Sequence, residues 1–217
     1  MSMNFGREQA LLRQRLTEKG SPELAAEQQA RFGDKIKCLG AEDAEVLAAA
    51  TDLVEQFPTM GRAQMTAFVR TLWGSKTHEL RGVGAEILAR RAELLEPPDL
   101  AFVEGLLKDG HDDAMQARLA SDVLGALVSK NKKLWKDLQK LAKGANPQLR
   151  LAAVQAAKAP CANGGVFDRF EKLAAPLMAD ADEHLLAAID EALQAAAAHE
   201  PEAVQAFASE HGRKLDG

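Results

Sequence analysis

The sequence of 217 residues is 47% apolar and 27% charged with a formal net charge of −5, a balance typical of folded proteins that disfavours indiscriminate binding to phosphate. Only 5% of the residues are aromatic and tyrosine is absent, so the composition favours an all-α fold over a sheet-rich one. No apolar run approaches the ~20 residues that span a bilayer, and the first residues lack a signal-peptide core, so we expect a cytoplasmic protein without a membrane anchor.

Helix caps, prolines and glycines divide the chain into twelve predicted helices. Ser21-Pro22-Glu23 and Asn146-Pro147 are typical helix starts, because the first side chain can cap free N–H groups and proline fits the first turn. Glycines such as Gly20, Gly40 and Gly144 mark helix ends. In chain order, the predicted helices cover residues 7–19, 23–39, 42–56, 62–73, 77–95, 98–108, 112–129, 131–143, 147–158, 165–178, 182–197 and 200–211.

The helices are predicted to bury one face each and to be joined by short turns. In helix 77–95, for example, the leucine, isoleucine and valine positions recur at three- and four-residue steps, which places them on one stripe. Successive helices of this kind suit a stack of antiparallel pairs, and a compact bundle fits the same pattern. Periodicity alone leaves these two architectures open.

The cysteines and histidines show no ligand spacing. Cys38 and Cys161 are far apart and each has apolar neighbours, so we expect reduced, packed thiols. His111, Asp112 and Asp113 are adjacent at a predicted helix start and cannot all converge on one ion. The sequence also has no glycine-rich phosphate loop and no Gly-x-Ser-x-Gly elbow, so neither a metal nor a cofactor is expected.

Charge is distributed unevenly along the second half of the chain. Residues 129–150 hold seven basic residues against Asp137 alone, a balance of +6, whereas residues 151–217 hold 5 basic and 11 acidic residues. In helix 131–143 the leucines are predicted to be buried, and Lys132, Lys136, Lys140 and Lys143 lie on the opposite side. The pattern predicts a solvated outer face on this helix.

One stretch of sequence resembles a known family. Leu72-Trp73, a short polar linker, His78-Glu79-Leu80-Arg81 and Gly84-Ala85-Glu86-Ile87-Leu88 are similar to an element of the AlkD-like DNA alkylation-repair glycosylases. Looser similarity continues through Cys38-Leu39-Gly40 and Leu124-Gly125. The resemblance implies a curved right-handed solenoid of HEAT-like antiparallel helix pairs, with residues 1–217 forming a single, monomeric domain. It also implies a concave, DNA-binding face lined by helices 77–95, 112–129, 147–158 and 182–197.

The catalytic positions of that family read differently in this sequence. Anchored on Leu124-Gly125, the family's catalytic aspartate falls on Ala117 and a groove tryptophan falls on Asp113. A second groove tryptophan falls on Glu191, and an arginine falls on Leu151, with Arg150 one residue earlier. Excision of a cationic base needs a fixed carboxylate near the sugar, which alanine cannot supply.

Three functions are compatible with these residues. The first is binding of duplex DNA along the backbone, in an alkylation-damage context and without excision, through Arg81, Arg90, Arg118, Arg150 and Lys158. The second is a protein-interaction scaffold whose groove, with Asp113, Asp190 and Glu191, takes a basic partner. The third is an active alkylpurine DNA glycosylase in which Asp113 is the relocated carboxylate. The simpler role of Asp112 and Asp113 is to cap a helix.

Trp73 and Trp135 are expected in the core.

Overall fold

A computed structural model describes the chain from Met3 to Lys214, and every regular element in that range is helical. The all-α prediction is confirmed. Lys37 and Thr77 form an isolated parallel bridge, and no strand is assigned between residues 3 and 214. None of the described helices combines the length and the apolar character needed to cross a bilayer. The chain divides between Leu94 and Leu95 into two compact units, here called unit 1 and unit 2.

Unit 1 contains five α-helices and a short 3-10 turn. The helix α5 packs against α3 and α4, and α1 contacts all three of these helices. Trp73 is buried, as predicted, and so are Phe68, Leu80 and Ile87. The helices are α1 Phe5–Lys19, α2 Pro22–Phe32, α3 Asp43–Gln56, α4 Arg62–Gly74 and α5 His78–Arg90, and the turn is Ala92–Leu94.

The second helix of unit 1 ends earlier than the sequence predicts. We predict a helix to residue 39, but α2 stops at Phe32, where Gly33 has φ 73° and donates its N–H to Gln29 O. A left-handed backbone of this kind favours glycine. The released segment then runs beside α5, where Lys37 bonds to the backbone of residues 76 and 78. Gly33 therefore ends the helix, and contacts with distant residues fix the segment that follows.

Unit 2 is built around one long helix, α10. It packs against α12 on one side and against α8 and the segment before it on the other, while α9 and α11 also contact it. The α-helices are α6 Leu100–Lys108, α7 Asp113–Arg118, α8 Gly125–Lys130, α9 Trp135–Ala142, α10 Pro147–Ala162, α11 Phe167–Ala174, α12 Glu183–Ala197 and α13 Pro201–Glu210. Three 3-10 segments, Pro97–Asp99, Lys132–Leu134 and Ala175–Leu177, adjoin α6, α9 and α11.

Two helices of unit 2 differ from the sequence prediction. The predicted helix 112–129 is continuous in direction but changes its hydrogen bonding, because Leu119–Leu124 form a π-helical segment between α7 and α8. Gly125 N–H accordingly donates to Ala120 O, five residues back. The predicted helix 147–158 extends to Ala162, since Pro160 lies in its last turn, where it is buried rather than ending the helix. Neither feature has a clear local sequence signal.

Candidate nucleic-acid interface

Unit 2 has a groove of about 640 Å³ between α7, α10 and α12. Its floor is the face of α10 that carries Gln148, Leu151, Gln155 and Lys158, at steps of three or four residues. The rest of the lining is Asp113, Ala114, Gln116, Ala117, Ser121, Pro147, Arg150, Ala152, Asp180, Asp182, His184, Leu185, Ala187, Ala188 and Glu191. Side chains from three separate stretches of the sequence therefore meet at one surface.

The start of α10 is fixed as the sequence predicts. The side chain of Asn146 accepts hydrogen bonds from the N–H groups of Gln148 at 3.0 Å and Leu149 at 3.2 Å, and Pro147 occupies the first turn. Its buried face carries many alanines, and α12 packs closely against it. This anchoring holds the groove-lining residues of α10 in a fixed direction.

The groove carries more negative than positive charge. Its lining contains four carboxylates, from Asp113, Asp180, Asp182 and Glu191, and two cations, Arg150 and Lys158. Both cations are paired, because Arg150 Nη2 lies 2.8 Å from Asp180 Oδ1 and Lys158 Nζ lies 2.8 Å from Glu191 Oε2. The groove is therefore mixed in sign, without a continuous positive strip.

Asp112 and Asp113 have different environments. Asp112 is buried and caps α7, since its Oδ2 accepts a hydrogen bond of 2.9 Å from Met115 N–H, which confirms the capping role predicted for it. Asp113 is exposed and lines the groove, one turn before Ala117, which also lines it. The structure therefore brings the candidate carboxylate and the alanine to the same wall.

The lining residues include no tryptophan or phenylalanine, and His184 supplies their one aromatic ring. Aromatic faces attract cationic groups by about 0.5–2 kcal/mol, depending on how much water is excluded. This groove instead presents alanines, glutamines and carboxylates. A positively charged ligand would meet negative charge here rather than a ring surface.

The predicted cations occupy different places. Arg150 and Lys158 line the groove, whereas Arg118 lies beside it on α7, is half exposed and pairs with Asp122. Arg90 belongs to unit 1, where it pairs with Glu86 in the same helix. The structure differs most from expectation at Arg81, which is 2% exposed. A side chain so buried has no surface to offer a phosphate.

The family-like stretch has a structural role that sequence reasoning missed. Arg81 donates from Nε to Trp73 O at 3.1 Å, and its guanidinium lies 5.0 Å from the centre of the Trp73 ring. Glu79 is fully buried, and its Oε1 accepts hydrogen bonds of 2.8 Å from Leu39 and Gly40 N–H. These contacts tie α5 to α4 and to the segment after α2. The sequence signal for this role was the Glu-Leu-Arg run itself, because it places two charged residues among the apolar positions of a helix.

The two cysteines are free and chemically quiet. Burial, with a smaller contribution from the Glu200 carboxylate, raises the pKa of Cys161 to about 12. Burial and Glu79 raise the pKa of Cys38 to about 11. Both thiols remain protonated at neutral pH. Among residues 3–214, no group of three or more histidine, cysteine, aspartate or glutamate side chains has the arrangement of a metal site.

Comparison with known proteins gives the family. One solved structure matches with a TM-score of 0.72 and 13% identity, covering 88% of this chain and 90% of the other, which is a predicted DNA alkylation repair enzyme from Enterococcus faecalis. At that identity the likeness shows the fold alone. No curated protein sequence gives a significant match. The sequence model of the DNA alkylation repair enzyme family matches residues 12–217, so the chain belongs to that family.

Proposed function

We propose that this protein binds duplex DNA along its backbone, in the context of alkylation damage, and does not excise bases. Family membership supplies the DNA-repair context. The observation that carries the contact is the position of Arg150 and Lys158, which both line the groove from the same helix. Eight residues separate them, or ~12 Å along the helix axis. The two cations can therefore reach different phosphates of one strand.

The ion pair between Lys158 and Glu191 does not prevent phosphate contact. Lys158 and Glu191 are about half exposed, and exposed pairs of this kind contribute only about 0–1 kcal/mol. A phosphate can therefore replace the carboxylate at low cost. The remaining carboxylates repel the backbone, so the affinity is modest and falls steeply as salt rises. Contacts to phosphate carry no sequence information, so binding is insensitive to sequence.

The absence of excision follows from the groove chemistry. A base leaves through a sugar with oxocarbenium character, which a fixed carboxylate stabilises. The sequence resemblance predicts that Ala117 falls where the family has this carboxylate, and Ala117 lines the groove without a functional group. Asp113 is exposed at the helix start, where solvent screens its charge. In unit 2, α9 packs against α10, while α9 also contacts α11 and α10 also contacts α12, and this alternating packing supports the proposed HEAT-like arrangement.

Duplex binding is tested by fluorescence anisotropy with a short lesion-free duplex of mixed sequence, titrated at several salt concentrations. The groove variant Arg150→Gln/Lys158→Gln is expected to bind more weakly, with a salt slope lower by ~2. The control Arg7→Gln/Arg15→Gln removes the same charge from α1, and Arg15 has a matched exposed pair with Asp52. An equal loss in both variants, or no loss in the groove variant, would contradict groove binding.

The acidic excess favours a second candidate, a docking groove for a basic protein segment. Its four carboxylates outnumber its two cations. In that case the groove of the parent protein binds a lysine-rich peptide, and Asp180→Asn/Glu191→Gln weakens peptide binding. For the DNA proposal the same variant strengthens duplex binding, because it removes negative charge beside Arg150 and Lys158. One variant therefore separates the two functions by the sign of its effect.

A further inference from the structure

Five lysines form a positive surface on unit 2, outside the groove. We call it the lysine face. It comprises Lys132, Lys133, Lys136, Lys140 and Lys143, all of them exposed. The sequence predicted a solvated outer face here, and the structure confirms that the helix α9 buries its other side through Trp135, Leu138 and Ala142. The lysines are therefore presented from a packed helix.

The spacing of the lysines is regular. Lys136, Lys140 and Lys143 are four and three residues apart, so they lie on one side of α9 at steps of ~4.5–6 Å along its axis. Lys132 and Lys133 extend the row in the 3-10 turn before the helix. That turn is held by the side chain of Asn131, which accepts from Lys133 N–H at 3.0 Å. A row of closely spaced cations is complementary to the closely spaced negative charges of a nucleic-acid strand.

Most of this charge is not neutralised. Asp137 pairs with Lys140 at 2.9 Å, but across residues 3–214 the ammonium groups of Lys132, Lys133, Lys136 and Lys143 have no carboxylate partner within ion-pair distance. The neighbouring helix α11 contributes exposed charge of both signs, with Asp168 paired to Lys172 and Glu171 exposed, and α6 contributes the Glu104–Lys108 pair. The lysine face therefore keeps a net positive charge.

The lysine face is separate from the groove. None of its lysines lines the groove, and α9 packs against α10 and α11, whereas α12 forms the groove wall. The two cations of the groove are each paired with a carboxylate. Among the described residues, four lysines of the lysine face have no such partner. Within the part of unit 2 that the structure describes, the lysine face thus holds four cations without a carboxylate partner, away from the groove.

We propose that the lysine face is a second duplex-DNA contact surface, which binds the phosphate backbone without sequence preference. The class of partner follows from charge complementarity and from the DNA-repair context of the family. This proposal rests on the proposed function only in taking duplex DNA as the ligand. Released counterions supply the driving force. The lysine face contributes more to the salt dependence of binding than the groove does, because four of its five lysines do not have to break an ion pair before they contact phosphate. A protein with two such surfaces can stay on the duplex while one surface is disengaged.

The test is a salt titration of duplex binding with the parent protein and three variants. In the lysine-face variant, Lys132, Lys133, Lys136 and Lys143 are changed to glutamine. The control carries the same change at four exposed lysines of unit 1, Lys19, Lys35, Lys37 and Lys76, so that net charge is equal. The third protein is the groove variant Arg150→Gln/Lys158→Gln. All are checked for an unchanged urea unfolding midpoint, since exposed Lys→Gln changes leave the core intact.

The lysine-face variant is expected to bind at least tenfold more weakly at ~150 mM salt, with a salt slope lower by ~3–4, while the unit 1 control stays close to the parent. Loss in this variant alone supports the lysine face and overturns groove binding. Loss in the groove variant alone overturns the lysine face. Equal loss in the lysine-face variant and the unit 1 control also overturns it, because net charge then explains the effect. A parent without duplex binding at low salt overturns both proposals.

Discussion

Lys158 of α10 and Glu191 of α12 form an ion pair in the lining of the groove, with 2.8 Å between Nζ and Oε2. The sequence resemblance predicts that Glu191 falls where the AlkD-like family has a tryptophan, which would put an acidic side chain in place of an apolar ring. The pair controls how much of the Lys158 charge is available to a ligand. A single carboxylate can therefore tune the affinity of this groove for an anion.

The two partners of this pair are predicted to have opposite effects on duplex binding. Glu191→Gln should strengthen binding, because it removes a repulsive charge, and Lys158→Gln should weaken it and lower the salt slope by ~1. Unfolding free energies should change by less than about 1 kcal/mol in both, since the pair is exposed. Anisotropy titrations and urea unfolding measure the two quantities. Parallel changes in binding for both variants would contradict this account.

Excision is predicted to be absent. Release of N7- or N3-alkylated purines from duplex DNA by the parent protein should not exceed spontaneous depurination, because the groove lacks the ~10²-fold contribution of one well-placed charged group. A single-turnover assay measures the released base. Asp113→Asn should change nothing, and Asp180→Asn is its control at another exposed groove carboxylate. Robust release that is lost only in Asp113→Asn would identify Asp113 as the catalytic carboxylate.

The neighbouring aspartates should differ in their effect on stability. Asp112→Ala should lower the free energy of unfolding by about 1 kcal/mol, because the Met115 N–H loses its buried acceptor at the start of α7. Asp113→Ala should change it by less than about 0.5 kcal/mol, since Asp113 is exposed and makes no cap bond. Urea unfolding of the two variants, side by side, measures the difference.

The buried glutamate of the family-like stretch is predicted to be a stability determinant. Glu79→Gln should lower the free energy of unfolding by about 1.5–3 kcal/mol, because two backbone N–H groups, of Leu39 and Gly40, lose a charged acceptor. Glu55→Gln, at an exposed position of α3, is the control and should be close to neutral. Equal stability of the two variants would mean that the charge of Glu79 is not needed there.

Both thiols should resist alkylation in the folded protein. At pH 9, where an ordinary cysteine is at least half ionised, both thiols should be almost entirely protonated, given pKa values of about 11 for Cys38 and about 12 for Cys161. Iodoacetamide labelling followed by mass spectrometry should be slow until urea unfolds the chain. Cys161→Ala isolates the reaction of Cys38. Rapid labelling of Cys161 without unfolding would contradict its burial.

The raised thiol pKa values also have a consequence for stability. A folded pKa above the unfolded value means that the contribution to stability is fully present below pH 9 and is lost as the pH rises through the folded pKa. Urea midpoints should therefore fall between about pH 9 and pH 12. In Cys161→Ala this fall should be smaller than in the parent.

Local signals predicted the parts of the structure that depend on adjacent residues. The caps at Asn146 and Asp112 are visible because side chain and N–H group are two or three residues apart. The path of the chain after α2 and the burial of Arg81 depend on contacts between distant segments, such as the bond from Leu39 N–H to Glu79, 40 residues apart. Sequence periodicity shows that a helix has a buried face but does not show which charged residue completes it.

The charges of the groove were predicted only in part. The sequence identified Arg150, Lys158 and Asp113 as groove candidates, and the structure brings these three together in the lining. Asp180, the partner of Arg150, precedes α12 and belongs to no sequence motif. Its contact with Arg150 therefore depends on how α10 and α12 pack. Pairing across helices, more than residue type, decides which of these cations is available to a ligand.

The π-helical segment Leu119–Leu124 also affects how this chain is aligned with its relatives. A π turn holds about one residue more than an α turn, so a relative with an uninterrupted helix has one residue fewer over the same length. Counting backwards from Leu124-Gly125 without a gap then gives Ala117, and counting with a one-residue gap gives Gln116. Met115 and Arg118, on either side, are not acidic either. Neither count therefore predicts a carboxylate at this position, and a structure-guided alignment of the family should place its single-residue gap within 119–124.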